Sequence, residues 1–96
     1  MLTREDVRGM REAILAIASR YGARDVRIFG SVARGDATED SDLDLIVRFD
    51  PDRSLLDHGG LIMDLRELLG IRVDVIDEEA MRERFRDHVI KEAVPL

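Results

Sequence analysis

The chain contains no cysteine, so it can form neither a disulfide nor a thiolate metal site. Its histidines, His58 and His88, are not paired at ligand spacing, so no zinc site is expected. No window approaches the ~18 apolar residues of a membrane span, and the first residues lack the apolar segment of a signal peptide. These absences predict a protein of the reducing cytoplasm that does not enter a membrane.

An excess of positive charge is also missing. Lysine and arginine number 15 against 21 aspartates and glutamates, which gives a formal net charge of −6. Broad nucleic-acid binding needs a basic face, so we expect no direct nucleic-acid partner. The acidity suits an all-carboxylate magnesium site, and it suits a basic protein partner.

The length of 96 residues corresponds to one domain, which we place at residues 1–96. The chain has no repeat, linker or low-complexity stretch. Apolar spacing predicts a first helix capped by Thr3, a strand over 25–29, a helical turn within 30–35 and a strand over 43–49. A helix over 55–69, a strand over 72–76 and a last helix after Asp77 follow.

The expected fold class is therefore α/β (α+β), in the order α-β-α-β-α-β-α. A small three-stranded mixed sheet should be covered by helices on one face. Residues 94–96 should end the last helix, which is expected to turn Met81, Phe85, Val89 and Ile90 inward. Gly59 and Gly60 are discordant in a helix; they indicate either a late helix start or a close approach of another element.

The most informative stretch runs from residue 30 to residue 44. Side chains alternate along a strand, so Asp42 and Asp44 should share one face while Leu43 and Leu45 enter the core. Parallel carboxylates at short range repel each other unless a cation lies between them. A glycine-serine turn at Gly30 precedes them. Together these features outline a metal-nucleotide site.

This pattern resembles the signature of the nucleotidyltransferase superfamily that includes DNA polymerase beta. The residues that carry it are Gly30, Ser31, Arg34, Gly35 and the stretch 41–45. The small size and the order of the remaining elements are similar to the minimal nucleotidyltransferase (MNT) branch, almost from end to end. The resemblance implies the nucleotidyltransferase core fold and a third carboxylate, which Asp74 matches.

The resemblance also implies an activity. Two Mg2+ ions held by Asp42, Asp44 and Asp74 would serve transfer of AMP from ATP, with Gly30, Ser31 and Arg34 at the nucleotide. Similar MNT proteins are antitoxins of ribonuclease toxins that carry a HEPN domain, which implies a tyrosine hydroxyl of the toxin as the acceptor. Two other functions stay open: an antitoxin that acts by binding alone with a vestigial nucleotide site, and a small-molecule nucleotidyltransferase.

Each site residue also has a plain structural interpretation. The aspartates could be the solvated face of an edge strand, although aspartate is depleted in strands. Ser31 could be a simple helix cap. Arg34 could face phosphate, or it could pair with a carboxylate that fixes the loop, and the sequence does not decide between these. We expect Ser41 to cap the turn before the strand rather than to act chemically.

Overall fold

The computed structural model describes residues 2–96. Its helices are α1 (Arg4–Gly9), α2 (Arg11–Arg20), α3 (Gly30–Arg34), α4 (Leu55–Leu69) and α5 (Glu83–Glu92), with a 3-10 turn over Glu78–Ala80. Its strands are β1 (Ala23–Phe29), β2 (Leu43–Phe49), β3 (Val73–Asp77) and β4 (Val94–Pro95). Among these residues no helix is long and apolar enough to cross a membrane.

The strands form one mixed sheet in the order β3-β2-β1-β4. β1 pairs antiparallel with β2 and β4, and β2 pairs parallel with β3. The expected mixed α/β fold is confirmed, but the sheet has four strands rather than three. Val94 and Pro95 do not merely end the last helix: they pair with Ile28 and Arg27 at the sheet edge, where a proline without an N–H is tolerated.

The first helix is divided in two. Thr3 forms the expected capping box with Asp6, which caps α1. Met10 then leaves the helical region, with φ of −107° and ψ of 16°, and α2 starts at Arg11. Gly9 ends α1, and glycine is the residue that holds a helix least well in its interior. Val7 and Ile14 nevertheless enter the same core.

The helix α4 was predicted with its correct limits, from Leu55 to Leu69, and Gly70 closes it in the left-handed conformation. Gly59 and Gly60 both lie inside it, so the helix does not start late. A Cβ on Gly60 would lie 2.5 Å from Cε1 of Tyr21, whereas nothing lies within 4 Å of a Cβ on Gly59. Only at Gly60, therefore, does the absence of a side chain allow another residue, Tyr21, to pack closely against the helix.

The last helix was predicted to start too early, and its inward side was correct at Val89 but wrong at Phe85 and Ile90. A 3-10 turn follows Asp77, and α5 begins at Glu83. Within α5 only Val89 is fully buried; Phe85 is 58% exposed and Ile90 also faces solvent. The alternation of charged and apolar residues in this short segment left its apolar face ambiguous from sequence.

The main core lies between the helices and one face of the sheet, and Leu43, Leu45 and Val73 are fully buried in it. The other face is covered only in part. Ile46 lies on the same face of β2 as Asp44, yet it is fully buried outside the main core. Glu78, just after β3, reaches Arg27 and Arg48 on this face. The C-terminal segment therefore covers one part of this face, and the aspartates lie in the other.

Candidate active site

The three aspartates lie at one end of the uncovered part of the sheet. Asp44 and Asp74 are register partners on the parallel strands β2 and β3. Asp42 immediately precedes β2, two residues before Asp44. The side chain of Asp74 is 57% exposed, and those of Asp42 and Asp44 are half-buried. Parallel strands thus bring together carboxylates that are about 30 residues apart in sequence.

The charges of these side chains act on one another. Burial raises the pKa of Asp44 above its ordinary value, and the neighbouring carboxylates of Asp74 and Asp42 raise it further. The guanidinium of Arg34 acts in the opposite direction. Because burial and neighbouring acids disfavour the ionised form of Asp44, a bound cation would stabilise its charge.

Gly30 fits the site because Asp44 occupies the space of its missing side chain. A Cβ on Gly30 would lie 2.6 Å from Oδ2 of Asp44, and the φ of Gly30 is +78°. A larger residue would require the carboxylate to move, and it would also strain the backbone at this φ. The turn that starts α3 is therefore in direct contact with the second aspartate of the motif, as the motif spacing suggested.

Ser31 is not the cap of a helix. The N-cap position of α3 belongs to Phe29, and no side chain caps this helix. The backbone carbonyl of Ser31 instead accepts hydrogen bonds from the N–H groups of Gly35 and Asp36, which close the turn. The plain capping interpretation of Ser31 is thereby removed, and its role in nucleotide binding stays a prediction.

Arg34 pairs with carboxylates in this structure. Its Nε lies 3.2 Å from Oδ2 of Asp36, and its Nη1 lies 3.9 Å from Oε2 of Glu92. The pair with Asp36 corresponds to the interpretation in which Arg34 fixes the loop. Because about half of the Arg34 side chain is exposed, these contacts leave it accessible to an anion.

The expected triad of metal ligands is not preformed. Within residues 2–96 no three or more histidine, aspartate or glutamate side chains converge on a common point that could hold a metal. Asp42 lies instead 3.8 Å from Nε of Arg72, and Asp74 lies 3.6 Å from Nη2 of Arg66. Like charges without a cation between them separate, and each of these two carboxylates is balanced by a neighbouring arginine.

The chemistry of the donor set nevertheless fits magnesium. Asp44 and Asp74 lie on adjacent strands and Asp42 directly precedes β2. Besides burial, the charges of Asp74 and Asp42 raise the pKa of Asp44. Mg2+ prefers oxygen ligands and keeps several waters, so it needs only one or two carboxylates and the phosphates of a substrate. Asp42 and Asp74, which here pair with arginines, would be the further oxygen donors available to such an ion.

The two arginines are the site residues that the sequence analysis missed. Arg72 was detectable in part: in the predicted strand 72–76 side chains alternate, so Arg72 should share a face with Asp74. Its place beside Asp42 follows only from the pairing of Leu43 with Val73 in the structure. Arg66 was not detectable in this way, since it reaches Asp74 from α4 through the tertiary packing.

Two further polar residues have structural roles. The Oγ of Ser41 accepts a hydrogen bond from the N–H of Thr38 at 2.8 Å, which confirms that Ser41 shapes the turn before β2. His58 lies in α4, hydrogen-bonds the carbonyl oxygen of Val75 through Nε2 at 2.6 Å and contacts the ring of Phe49. It is more buried than expected, and it lies away from the aspartates.

A small mixed sheet with paired aspartates beside a glycine turn defines a nucleotidyltransferase class of protein. The chain belongs to the nucleotidyltransferase domain family, whose sequence profile matches residues 10–95. The expected family and enzyme class are thereby confirmed.

Known proteins resemble this chain over nearly its whole length. The protein adenylyltransferase MntA of Thermococcus cleftensis is 37% identical, over 98% of this chain and 96% of its own. A solved structure provisionally described as a minimal nucleotidyltransferase is 52% identical, with a TM-score of 0.88 over 99% of this chain and 97% of that chain.

A more distant solved structure shares the fold. It is a chain of a toxin-antitoxin complex crystallised with AMP-PNP, with a TM-score of 0.76 and 19% identity. The similarity covers 88% of this chain and 69% of that one.

Proposed function

We propose that this protein is a magnesium-dependent antitoxin that transfers AMP from ATP to a tyrosine of a cognate toxin with a HEPN ribonuclease domain. The observation that carries the proposal is the register pairing of Asp44 with Asp74 next to Gly30. The MntA relative named as a protein adenylyltransferase supports the reaction type. A toxin-antitoxin chain of the same fold supports a toxin partner and a nucleotide substrate.

Asp42, Asp44 and Asp74 would hold two Mg2+ ions, which when bound supply Lewis-acid activation and neutralise charge on the phosphates. Because Gly30 has no side chain, the backbone of its turn would approach the β- and γ-phosphates, and Ser31 would donate its hydroxyl there. Arg34 counters their negative charge.

The chemical step is an in-line displacement at the α-phosphorus of ATP. A bond forms between the tyrosine oxygen and the α-phosphorus, and the bond from that phosphorus to the bridging oxygen breaks. Pyrophosphate leaves, and Asp74 accepts the proton of the tyrosine hydroxyl. Asp74 suits this task because it is the most exposed of the three carboxylates and so the most accessible to an incoming side chain.

The test is transfer of labelled AMP from ATP to the co-purified toxin, followed by mass spectrometry of its tyrosines. The wild type should modify the toxin, and Asp44→Asn should lower the rate at least about a hundredfold, as expected when a principal ligand of the catalytic ions is lost. Asp50→Asn is the matched control, because Asp50 directly follows the same strand at its other end and makes only an exposed pair with Arg24.

The chain contains an internal check on this assay. Tyr21 is its one tyrosine, and the hydroxyl of Tyr21 donates a hydrogen bond to Asp64 at 2.6 Å. If this chain itself is labelled on a tyrosine, that tyrosine can only be Tyr21, and Tyr21→Phe removes the signal.

The outcomes separate the candidate functions. If the toxin is neutralised but unmodified, and Asp44→Asn neutralises equally well, the protein is a binding antitoxin. If no toxin is bound and AMP appears on a small molecule, the acceptor assignment is wrong.

A further inference from the structure

The side chain of Arg66 is fixed at the free edge of the sheet. Its Nε donates a hydrogen bond to the carbonyl oxygen of Val73 at 3.1 Å. β3 is an edge strand whose other side pairs with β2. In a parallel pair each residue directs its N–H and its carbonyl to the same side, and successive residues alternate sides. The carbonyl oxygen of Arg72, just before β3, accepts a hydrogen bond from the N–H of Leu43 and so points towards β2. The carbonyl of Val73 therefore points outward, where Arg66 satisfies it.

The same guanidinium group pairs with the carboxylate of Asp74. Nη2 of Arg66 lies 3.6 Å from Oδ1 of Asp74, and the Arg66 side chain is 44% exposed. One end of the guanidinium is anchored on backbone, so the positive charge stays beside Asp74 whether or not the carboxylate turns away. A divalent cation that takes Asp74 as a ligand must displace this pair and must then remain close to a like charge.

We propose that Arg66 is a positioning residue, which acts as an internal counter-cation and holds Asp74 when no metal is bound. A divalent cation then binds tightly only when a nucleoside triphosphate adds its own negative ligands. This inference rests on the proposed function, since it takes Asp74 as a metal ligand. Arg72 beside Asp42 acts in the same direction but more weakly, because its side chain is 79% exposed and the pair is longer, at 3.8 Å.

Competition of Arg66 with a cation can be distinguished from a purely structural role, in which Arg66 only satisfies the backbone at the edge of the sheet. If Arg66 only satisfied the carbonyl of Val73, its loss would loosen β3 and would weaken any metal bound by Asp74. If Arg66 competes with the cation, its loss strengthens metal binding in the absence of nucleotide. The two roles therefore predict opposite changes in the same measurement.

The experiment measures the affinity of the protein for Mn2+, from the free Mn2+ signal in electron paramagnetic resonance, without nucleotide. Mn2+ replaces Mg2+ because both prefer oxygen ligands. Arg66→Met keeps most of the aliphatic stem and removes the charge, and it should bind Mn2+ at least about threefold more tightly than the wild type. Arg66→Lys keeps the charge but loses the fork that contacts both partners, so its Mn2+ affinity should lie between those of the wild type and Arg66→Met.

Arg20→Met is the matched control. Arg20 also lies in a helix and makes one partly exposed pair, at 3.5 Å from Asp64, so the variant changes the net charge equally. Its Mn2+ affinity should equal that of the wild type. A non-hydrolysable ATP analogue should then strengthen Mn2+ binding more in the wild type than in Arg66→Met, because the wild type depends more on the added phosphates.

Unchanged or weaker Mn2+ binding by Arg66→Met overturns the inference, and so does an equal gain in Arg20→Met. Asp44→Asn distinguishes this failure from a failure of the proposed function. If Asp44→Asn weakens Mn2+ binding while Arg66→Met does not change it, the metal site stands and only the role of Arg66 is wrong. If Asp44→Asn has no effect, the metal assignment fails and the inference fails with it.

Discussion

Among single residues, Asp44 is the carboxylate whose charge the fold disfavours. It is half-buried, and two other aspartates act on it, so its pKa lies above the ordinary value of 3.8. The folded state therefore binds the proton of Asp44 more tightly than the unfolded chain does. At a pH above both the raised and the ordinary pKa, where Asp44 is ionised in both states, its charge lowers the free energy of unfolding.

We expect Asp44→Asn to be more stable than the wild type at neutral pH, although it loses activity. The gain should stay below about 1 kcal/mol, because the charges are partly exposed, and should raise Tm by a few degrees at most. It should be complete above the raised pKa of Asp44 and should vanish as the pH falls below the ordinary value. Thermal unfolding across this pH range measures it; a gain that persists in acid contradicts the explanation.

Gly30 is the second residue on which the site depends. We expect Gly30→Ala to reduce both activity and stability, because a methyl group would meet Oδ2 of Asp44 at 2.6 Å while the backbone holds a φ of +78°. A non-glycine residue in this region costs about 1 kcal/mol from the backbone alone. Gly35→Ala separates the two causes, since Gly35 has a φ of +83° but nothing within 4 Å of its added Cβ. It should lower stability and leave nucleotide binding intact.

At the scale of elements, α4 carries two adjacent glycines with opposite roles. We expect Gly59→Ala to stabilise the protein by about 0.5–1 kcal/mol, because the position is helical and a methyl group there meets nothing within 4 Å. Gly60→Ala should destabilise it, because the methyl group would lie 2.5 Å from the ring of Tyr21. Asp64 holds that ring through the tyrosine hydroxyl, so the ring cannot easily move aside.

Urea unfolding of the two alanine variants measures this difference, and each variant is the control for the other. Helix propensity changes equally in both, so any difference in their free energies of unfolding reports the contact with Tyr21. Equal effects of the two substitutions would exclude that contact as the reason for Gly60. Tyr21→Leu in the Gly60→Ala background should recover part of the loss.

At the scale of the whole molecule, a charged cluster joins the C-terminal segment to the sheet. Glu78 is 7% exposed and pairs with Arg27 on β1 and with Arg48 on β2. Glu78 lies in the 3-10 turn between β3 and α5, so one carboxylate links β1 and β2 with the segment that covers part of the second face. A buried carboxylate with two cationic partners is costly to remove, because both cations are left without it.

We expect Glu78→Gln to lower the free energy of unfolding by about 2–3 kcal/mol, less than for a fully buried pair because Arg48 is partly exposed. Glu79→Gln is the matched control: Glu79 is the next residue, also pairs with Arg48 at 3.2 Å, and is 57% exposed. It should cost less than about 0.5 kcal/mol. Urea unfolding compares them; similar costs would assign the stabilisation to general charge rather than to the buried link.

The sequence by itself determined most of the elements and the local chemistry of their ends. The caps Thr3 and Gly70 and the limits of β2 and α4 follow from rules that act within a few residues. The motif around Gly30 and the aspartates was likewise sufficient to identify the family. The functional roles assigned to those residues stay predictions, since they depend on a bound nucleotide and a partner.

Only the tertiary structure decided the long-range pairings. The fourth strand at Val94, the contact of Arg66 with Asp74 and the burial of Glu78 join residues far apart in sequence. Such contacts depend on where whole elements pack, and local periodicity carries no information about that. The exposed Phe85 has the same cause: a ten-residue helix buries whichever face its neighbouring elements leave room for, and within α5 only Val89 is fully buried.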